Sequence, residues 1–363
     1  MKICHITTVH PVYDVRIFHK ECCSLQKAGH DVTLLAANAE DTEKNGVKIV
    51  GVRYPVRNRL ERMLKISKAT YRKAVQINAD IYHFHDPEFL PYALKLLKKG
   101  KKVIYDVHED VPRQIVAKKW IPWLLRRLIA FFFEQYENSA AKKMTHIVSA
   151  TPFICKRFSK ISTKTSTINN YPMLEEMGTP EEFSSKKREV CYLGSIHEER
   201  GIVQLIDALS NADFKLNLAG KFDSEELKKQ LMKNQGWKSV NDYGFVSREE
   251  VVEIMRKSKA GVVTLLPIPN HINSQPNKMF EYMAAGIPII ASDFPLWKEI
   301  IEGNDCGICV DPLSSKDICK AVEELLNDNE KAMCKGGNGR KAVEEKYNWE
   351  TEAKKLIALY EKL

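Results

Sequence analysis

Short apolar runs alternate with helical stretches along this chain, and the pattern is played through twice. In the first half, strands read at Lys2–Thr8, Asp31–Ala36, Lys48–Arg53, Ile81–His85, Lys102–Asp106 and Ile147–Ala150. Between them, Ile17–Ala28 (closed by Gly29), the basic stretch Arg59–Asn78 and Pro87–Lys98 carry helical spacing. Brief apolar runs without polar alternation suit strands covered on both faces, and strands separated by helices pair in parallel. The rhythm is lost from Thr163 to Arg188, where Asn169-Asn170-Tyr171-Pro172 and Gly178-Thr179-Pro180 interrupt both periods. It restarts with strands at Val190–Gly194, Phe214–Gly220, Ser239–Tyr243 and Gly261–Leu266, and helices at Gly201–Ser210, Glu225–Asn234 and Ser314–Leu326. Ser247-Arg-Glu-Glu250 spells a capping box that opens a helix running to Ser258. The expected fold class is α/β, with two Rossmann-like, doubly wound domains at 1–170 and 189–347. A linker at 171–188 joins them, and an amphipathic helix at 348–363 ends the chain.

At 363 residues the chain can bury two cores, and 44% hydrophobic with 28% charged residues is the balance of a water-soluble globular protein. The net charge of +9 points to anionic partners. Nine cysteines, an odd number with Cys22 and Cys23 adjacent, form no disulfide framework and suit a reducing cytoplasm. Cys306-Gly-Ile-Cys309 lacks a second ligand pair for zinc, so a turn into a strand is expected there. Lys2–Thr8 reads as a strand from the first residues, which leaves no room for a signal peptide. No apolar run reaches membrane-spanning length. No G-x-G-x-x-G follows the first strand and no Walker A loop occurs, which weighs against dinucleotide oxidoreductases and P-loop enzymes.

The segment from Ser274 to Ser292 is the most telling for chemistry. It reads as a short helix with Pro276 in its first turn and Gly286 at its left-handed stop, followed at once by the apolar run Ile287–Ala291. Asn277, Lys278 and Glu281 fall on one side of that helix, and Met279, Phe280 and Met283 on the other. A helix start carrying a lysine favours phosphate, and a carboxylate one turn on can take two hydroxyls. The competing interpretation is a solvated Lys278–Glu281 surface pair.

Glu281-Tyr-Met-Ala-Ala-Gly-Ile-Pro-Ile-Ile-Ala-Ser292 resembles the second half of the Glu-x7-Glu motif of the retaining glycosyltransferases of family 4. Together with the two-domain rhythm, the resemblance covers nearly the whole chain. It implies the GT-B architecture, with an acceptor domain first, a donor domain second, an active-site cleft between them and a last helix crossing back to the first domain. It implies a nucleotide-diphosphate sugar as donor, with UDP the expected carrier, and a saccharide or lipid-linked saccharide as acceptor in cell-surface polysaccharide synthesis. Transfer with retention and no metal or other cofactor are implied as well.

Carried over residue by residue, the resemblance assigns Gly194, Ser195 and Arg200 of Gly194-Ser-Ile-His-Glu-Glu-Arg200-Gly201 to the donor phosphates. Pro276, Asn277 and Lys278 join them at the helix start. Ser195 stands where the family often has Arg, and Arg200 where it usually has Lys. Phe245 and Val246 lie in the turn that holds the base, and Glu281 takes the ribose. His108 faces the sugar. The first glutamate of the motif falls on Asn273, an amide that can bond hydroxyls but brings no negative charge to a cationic transition state. Asn273 is therefore expected to bear on the choice of donor sugar.

Three further features leave alternatives open. Asp14 and Arg16 follow the first strand and could meet the acceptor, or Asp14 could cap the next helix. His83 and His85 point the same way from a strand, compatible with a metal but more in keeping with a structural or acceptor-rim role. In the stretch Trp120–Phe133 and onward, Arg126, Arg127, Glu134 and Glu137 gather in a narrow stripe on a wheel begun at Trp123, and almost everything else is apolar. That width means either a deeply buried helix or one seated on an anionic cytoplasmic leaflet, with Lys118, Lys119, Lys142 and Lys143 flanking it. The rival functional classes are a sugar-nucleotide epimerase or hydrolase on the same fold, and a non-catalytic partner of another transferase. A nucleic-acid binder lacks any recognised module.

Overall fold

The computed structural model of the chain describes residues 1–54, 61–118, 121–178 and 180–363. Lys119, Trp120 and the start of the stretch expected as a helix from Arg59 lie outside the described residues. The chain divides into two compact units, Met1–Asn170 with Trp349–Leu363, and Tyr171–Asn348.

The first unit is built on an eight-stranded sheet in the order β3-β4-β2-β1-β5-β6-β7-β8. Its strands are β1 (Lys2–Thr7), β2 (Asp31–Ala37), β3 (Thr42–Lys44), β4 (Val47–Val52), β5 (Ile81–Phe84), β6 (Lys102–Val107), β7 (His146–Ser149) and β8 (Thr165–Thr167). Every described pairing is parallel except β3 with β4. That hairpin turns at Asn45 and Gly46, both at positive φ (54° and 74°), the geometry two-residue hairpin turns need. Helix α1 begins with π pitch over Val15–Cys22 and continues as α-helix over Cys23–Lys27. Helix α2 spans Trp123–Ala141.

The second unit holds a six-stranded parallel sheet in the order β11-β10-β9-β12-β13-β14. These strands are β9 (Glu189–Leu193), β10 (Lys215–Ala219), β11 (Val240–Gly244), β12 (Ala260–Val263), β13 (Ile289–Ser292) and β14 (Gly307–Val310). Apolar clusters cover both faces of this sheet. One gathers Ile254, Met255, Met279, Phe280 and Met283, and the other Ile202, Leu205, Ile206, Ile318 and Val322. Helices α3 (Ile202–Ala208), α4 (Arg248–Lys257) and α5 (Asn277–Ala284) carry many of these residues. The stretch expected to be a linker packs into this unit, with Tyr171, Met177 and Phe183 buried in its clusters.

The last helix, α6 (Trp349–Glu361), belongs to the first unit. Trp349 Nε1 donates to Ser24 Oγ at 2.9 Å, and the Tyr360 hydroxyl lies 2.8 Å from His83 Nδ1. Among the described residues no helix is long and apolar enough to cross a membrane.

Candidate functional site

In the second unit the carboxyl end of β9 and the start of α5 come together. Beyond Leu193 the chain bends at Gly194 (φ 108°), whose N–H donates to the Ala219 carbonyl at 2.9 Å. Gly220 lies against the Gly194 carbonyl so closely that a Cβ there would sit 1.9 Å from the oxygen. The next turn, Glu198–Arg200, ends at Gly201 (φ 75°), where a Cβ would meet the Thr264 carbonyl at 1.9 Å. This turn is thus fixed by glycine on steric grounds, and it places Arg200 just before α3.

Pro276 is the N-cap of α5 rather than its first residue, with Asn277 exposed at the first helical position. Lys278 comes next and is buried, so it is not half of a solvated surface pair. Its Nζ lies 3.7 Å from the centre of the Tyr192 ring and has no hydrogen-bond partner among the described residues. The backbone of Gly194 leaves room beside it, since even a Cβ there would lie 3.8 Å from Nζ. Burial, and then the charge of Arg200, hold the Lys278 pKa well below that of an ordinary lysine. Burial pushes the Tyr192 phenol up to about 12, partly offset by the nearby Arg200 guanidinium, and its hydroxyl donates to the Ser195 carbonyl at 3.1 Å. The Lys278 amine and the Arg200 guanidinium therefore share one strand end, where Arg200 disfavours the charged lysine and Glu281 favours it.

Glu281 follows one turn on. Its partner is Arg248 at 2.7 Å, not Lys278, and Arg248 also reaches Glu176 at 2.9 Å. Arg248 was not anticipated from the sequence. Its only local signal is its place just after Ser247, whose capping box is formed as expected. Asn273 ends the short turn Pro269–Ile272 that leads into α5 and is half-buried. Phe245 is 86% exposed after the left-handed Gly244, while Val246 packs onto the core.

In the first unit one face of the sheet carries a buried polar layer where a parallel sheet would ordinarily be apolar. His5 on β1 pairs in register with His83 on β5, and His85 follows on the same face. Asp106 on β6 is the hub. Arg16 donates to both its oxygens, from Nε at 3.0 Å and Nη2 at 2.9 Å. His85 Nδ1 and His108 Nε2 lie 3.2 and 3.1 Å from Asp106 Oδ2. Burial alone would raise the Asp106 carboxyl, but Arg16 and His108 hold it well below the carboxylate range. Burial, reinforced by Asp106, pushes neighbouring Glu21 well above that range. Of the two carboxyls, Asp106 is thus the one that Arg16 holds in its charged form. Burial lowers His85 to about 3, so that ring is neutral.

These placements bear on the open alternatives. Asp14 caps α1, accepting from the N–H groups of Arg16 and Ile17, both at 2.9 Å. Arg16, expected at an acceptor, is 3% exposed and fully engaged, its Nη1 donating to the Ile168 carbonyl. His83 and His85 are buried and not on a rim. His108 keeps partial exposure, with its ring steered by Asp106 and His85. Glu21, His83, His85 and Asp106 each offer one ligand atom within 4.8 Å of the others, the candidate metal group among the described residues. Arg16 already lies against both carboxylates, and Asp106 Oδ2 accepts from Arg16 Nε and lies within 3.2 Å of two imidazole nitrogens, so a cation would have to displace existing bonds. All nine cysteines are free thiols.

Residues 175–342 match the family model described as glycosyl transferases group 1, and residues 15–170 the model described as glycosyltransferase family 4. The chain is 25% identical over 252 residues to the alpha-galactosylglucosyldiacylglycerol synthase of Streptococcus pneumoniae, covering 63% of this chain and 64% of that protein. A second curated match, an uncharacterised glycosyltransferase of Methanocaldococcus jannaschii, is covered over 45% of its length, so the chain spans less than two thirds of either relative. Among solved structures, the sucrose-phosphate synthase of Thermosynechococcus elongatus superposes with a TM-score of 0.79 at 17% identity, over 99% of this chain and 98% of that one. Anabaena Alr3699/HepE, solved in complex with UDP and glucose, superposes with a TM-score of 0.76 at 13% identity over the whole of both chains. At such identities the structures speak to the fold, and the two family models account for both halves of the sequence. The chain belongs to the group 1, family 4-type glycosyltransferases and has their GT-B fold.

Proposed function

We propose that this chain moves a sugar from a nucleotide-diphosphate sugar, with UDP as carrier, to a saccharide or lipid-linked saccharide acceptor. The observation that carries the reading is the unpartnered ammonium of Lys278 beside Arg200 at the Gly194 bend. A buried charge without a partner is costly, and it persists where a ligand completes it. A diphosphate does so with oxygen acceptors and negative charge. As the glycosidic bond breaks, charge builds on the departing diphosphate, and fixed cations there stabilise the transition state more than the ground state. Glu281, oriented by Arg248, is suited to ribose hydroxyls. The family pattern gives His108 and Asn273 the sugar. It also supplies retention by same-face attack, with the leaving phosphate taking the acceptor proton and no metal required. A role in cell-surface polysaccharide synthesis on the cytoplasmic side belongs to the same reading.

The test is a thermal-shift screen of nucleoside diphosphates and nucleotide sugars. A nucleoside diphosphate at 100 times its dissociation constant stabilises by about 2.7 kcal/mol, with UDP ahead of other bases. No shift with any nucleoside diphosphate would sink the proposal. Asn273 keeps a second reading in view, a non-catalytic partner, and binding without turnover in the presence of acceptors would favour it. Turnover of the sugar nucleotide with no acceptor would favour a hydrolase or epimerase.

A further inference from the structure

Helix α2 is anchored along one narrow side only. Ala130, Glu137, Ala140 and Ala141 are buried, and the carboxylates of Glu134 and Glu137 are turned inward to Arg113 and Arg157. The opposite side carries Leu124, Leu125, Leu128, Phe131 and Phe132, all open to water, Phe132 at 66% and Leu124 at 56%. Trp123, at the first helical position, is 60% exposed. A monomer in water rarely leaves so many large apolar side chains contiguous on one surface.

The fully exposed charges carried by this helix and its C-terminal cap are of one sign. Both acids of the helix are paired with arginines, Glu137 buried and Glu134 partly exposed, while Arg127, Lys142 and Lys143 are exposed. Arg127 lies over the Trp123 ring, 5.8 Å from its centre. An apolar face edged by outward cations complements an anionic bilayer, which offers hydrocarbon below and phosphate above. A second copy docking through the same face would bring cations toward cations with no outward carboxylate on the helix to answer them.

We infer that α2 is an interfacial anchor that lies in the plane of an anionic membrane surface, its Leu124–Phe132 face in the acyl boundary and its basic residues among the headgroups. The anchor does not depend on the chemistry of the acceptor, and it distinguishes lying on a membrane from spanning one.

The full chain is tested by co-sedimentation with phosphatidylcholine vesicles containing about 30% phosphatidylglycerol and with phosphatidylcholine alone. The comparison is the triple variant Leu124→Ser, Phe131→Ser, Phe132→Ser. Because these side chains are exposed, the variant keeps its circular-dichroism melt. Wild type partitions onto the anionic vesicles, less onto neutral ones and less at high salt, and the triple variant loses at least about tenfold in partitioning. Tryptophan emission shifts to the blue on adding anionic vesicles in wild type only. Wild type that ignores anionic vesicles, or a triple variant that binds them equally, overturns the inference. So does a wild-type dimer that the triple substitution renders monomeric without any vesicle binding, because the face would then be a self-interface.

Discussion

Replacing Lys278 with Met should make the empty protein more stable and its nucleotide binding worse. Lys278 is 7% exposed, has no hydrogen-bond partner among the described residues and lies against the Tyr192 ring, with the Glu281 charge as further support. The ring returns about 2 kcal/mol to a desolvated cation. An uncompensated buried charge costs more, about 3–5 kcal/mol. Met keeps the length and a sulfur contact to the ring worth about 1 kcal/mol, and it removes the charge. Below the folded-state pKa, where the lysine is charged, the expected gain is about 2–4 kcal/mol, each kcal/mol being worth roughly 2–4 °C in melting temperature for a unit of this size. Binding moves the other way. A charge-assisted hydrogen bond to phosphate contributes about 1.5–3 kcal/mol, so the Kd for UDP should rise roughly ten- to hundredfold.

Proton linkage gives the same argument a second readout. The folded lysine has its pKa lowered, by burial first and Arg200 next, while the unfolded one titrates near about 10.4. Between those values the unfolded chain holds more protons, so the stability of the empty protein rises with pH across that window. A bound diphosphate restores the ammonium, and UDP binding in the window takes up a proton. Calorimetry in two buffers of different ionisation enthalpy measures that uptake, and Lys278→Met should abolish it. A variant that melts lower than wild type and binds UDP as well as wild type would refute the reasoning and leave Lys278 a structural residue.

Two other substitutions probe the rest. Asn273→Glu should alter the ratio of rates between donor sugars, measured by release of the nucleoside diphosphate; an unchanged ratio and rate would remove Asn273 from sugar selection. Arg16→Met leaves Asp106 charged and buried without its guanidinium, at a cost of about 3–5 kcal/mol in denaturant unfolding. Arg16→Met combined with Asp106→Asn should recover part of that loss, and if it recovers none the pair is not the source.

The elements that were legible in the sequence are those whose residue pattern is set locally. Parallel strands covered on both faces read as apolar runs, so β1, β2, β5, β6 and most of the second sheet lie close to the positions expected. The capping box at Ser247 was legible because both halves lie within one turn. The helix Asn329–Glu345 was not, because Gly336, Gly337 and Gly339 argue against a helix in the sequence alone. Two of them are needed for packing: a Cβ at Gly336 would meet the Gly286 carbonyl at 2.2 Å, and one at Gly339 would touch Cys306 and Met283 at 3.2 and 3.4 Å. The β3–β4 hairpin had its Asn45-Gly46 signal, but its first strand, Thr42–Lys44, is fully exposed and carries no apolar pattern.

The candidate sites fail to read for a different reason. A wheel assigns faces by polarity, and it sends Lys278 outward beside Glu281. The structure buries Lys278, gives Glu281 to Arg248, and fills one face of the first sheet with His5, His83, His85 and Asp106. Each of these departures sets a polar group where an apolar one would be more stable. In the polar layer the two charged groups, Arg16 and Asp106, satisfy one another, while both Glu21 oxygens and His83 Nε2 stay without hydrogen-bond partners among the described residues. The Lys278 amine has no such bonded counter-charge, and among the described residues nothing supplies it with a hydrogen bond. A satisfied buried charge is explained by the fold, whereas an unsatisfied one asks for something the chain itself lacks. That difference is why the nucleotide reading rests on Lys278 rather than on the larger histidine cluster.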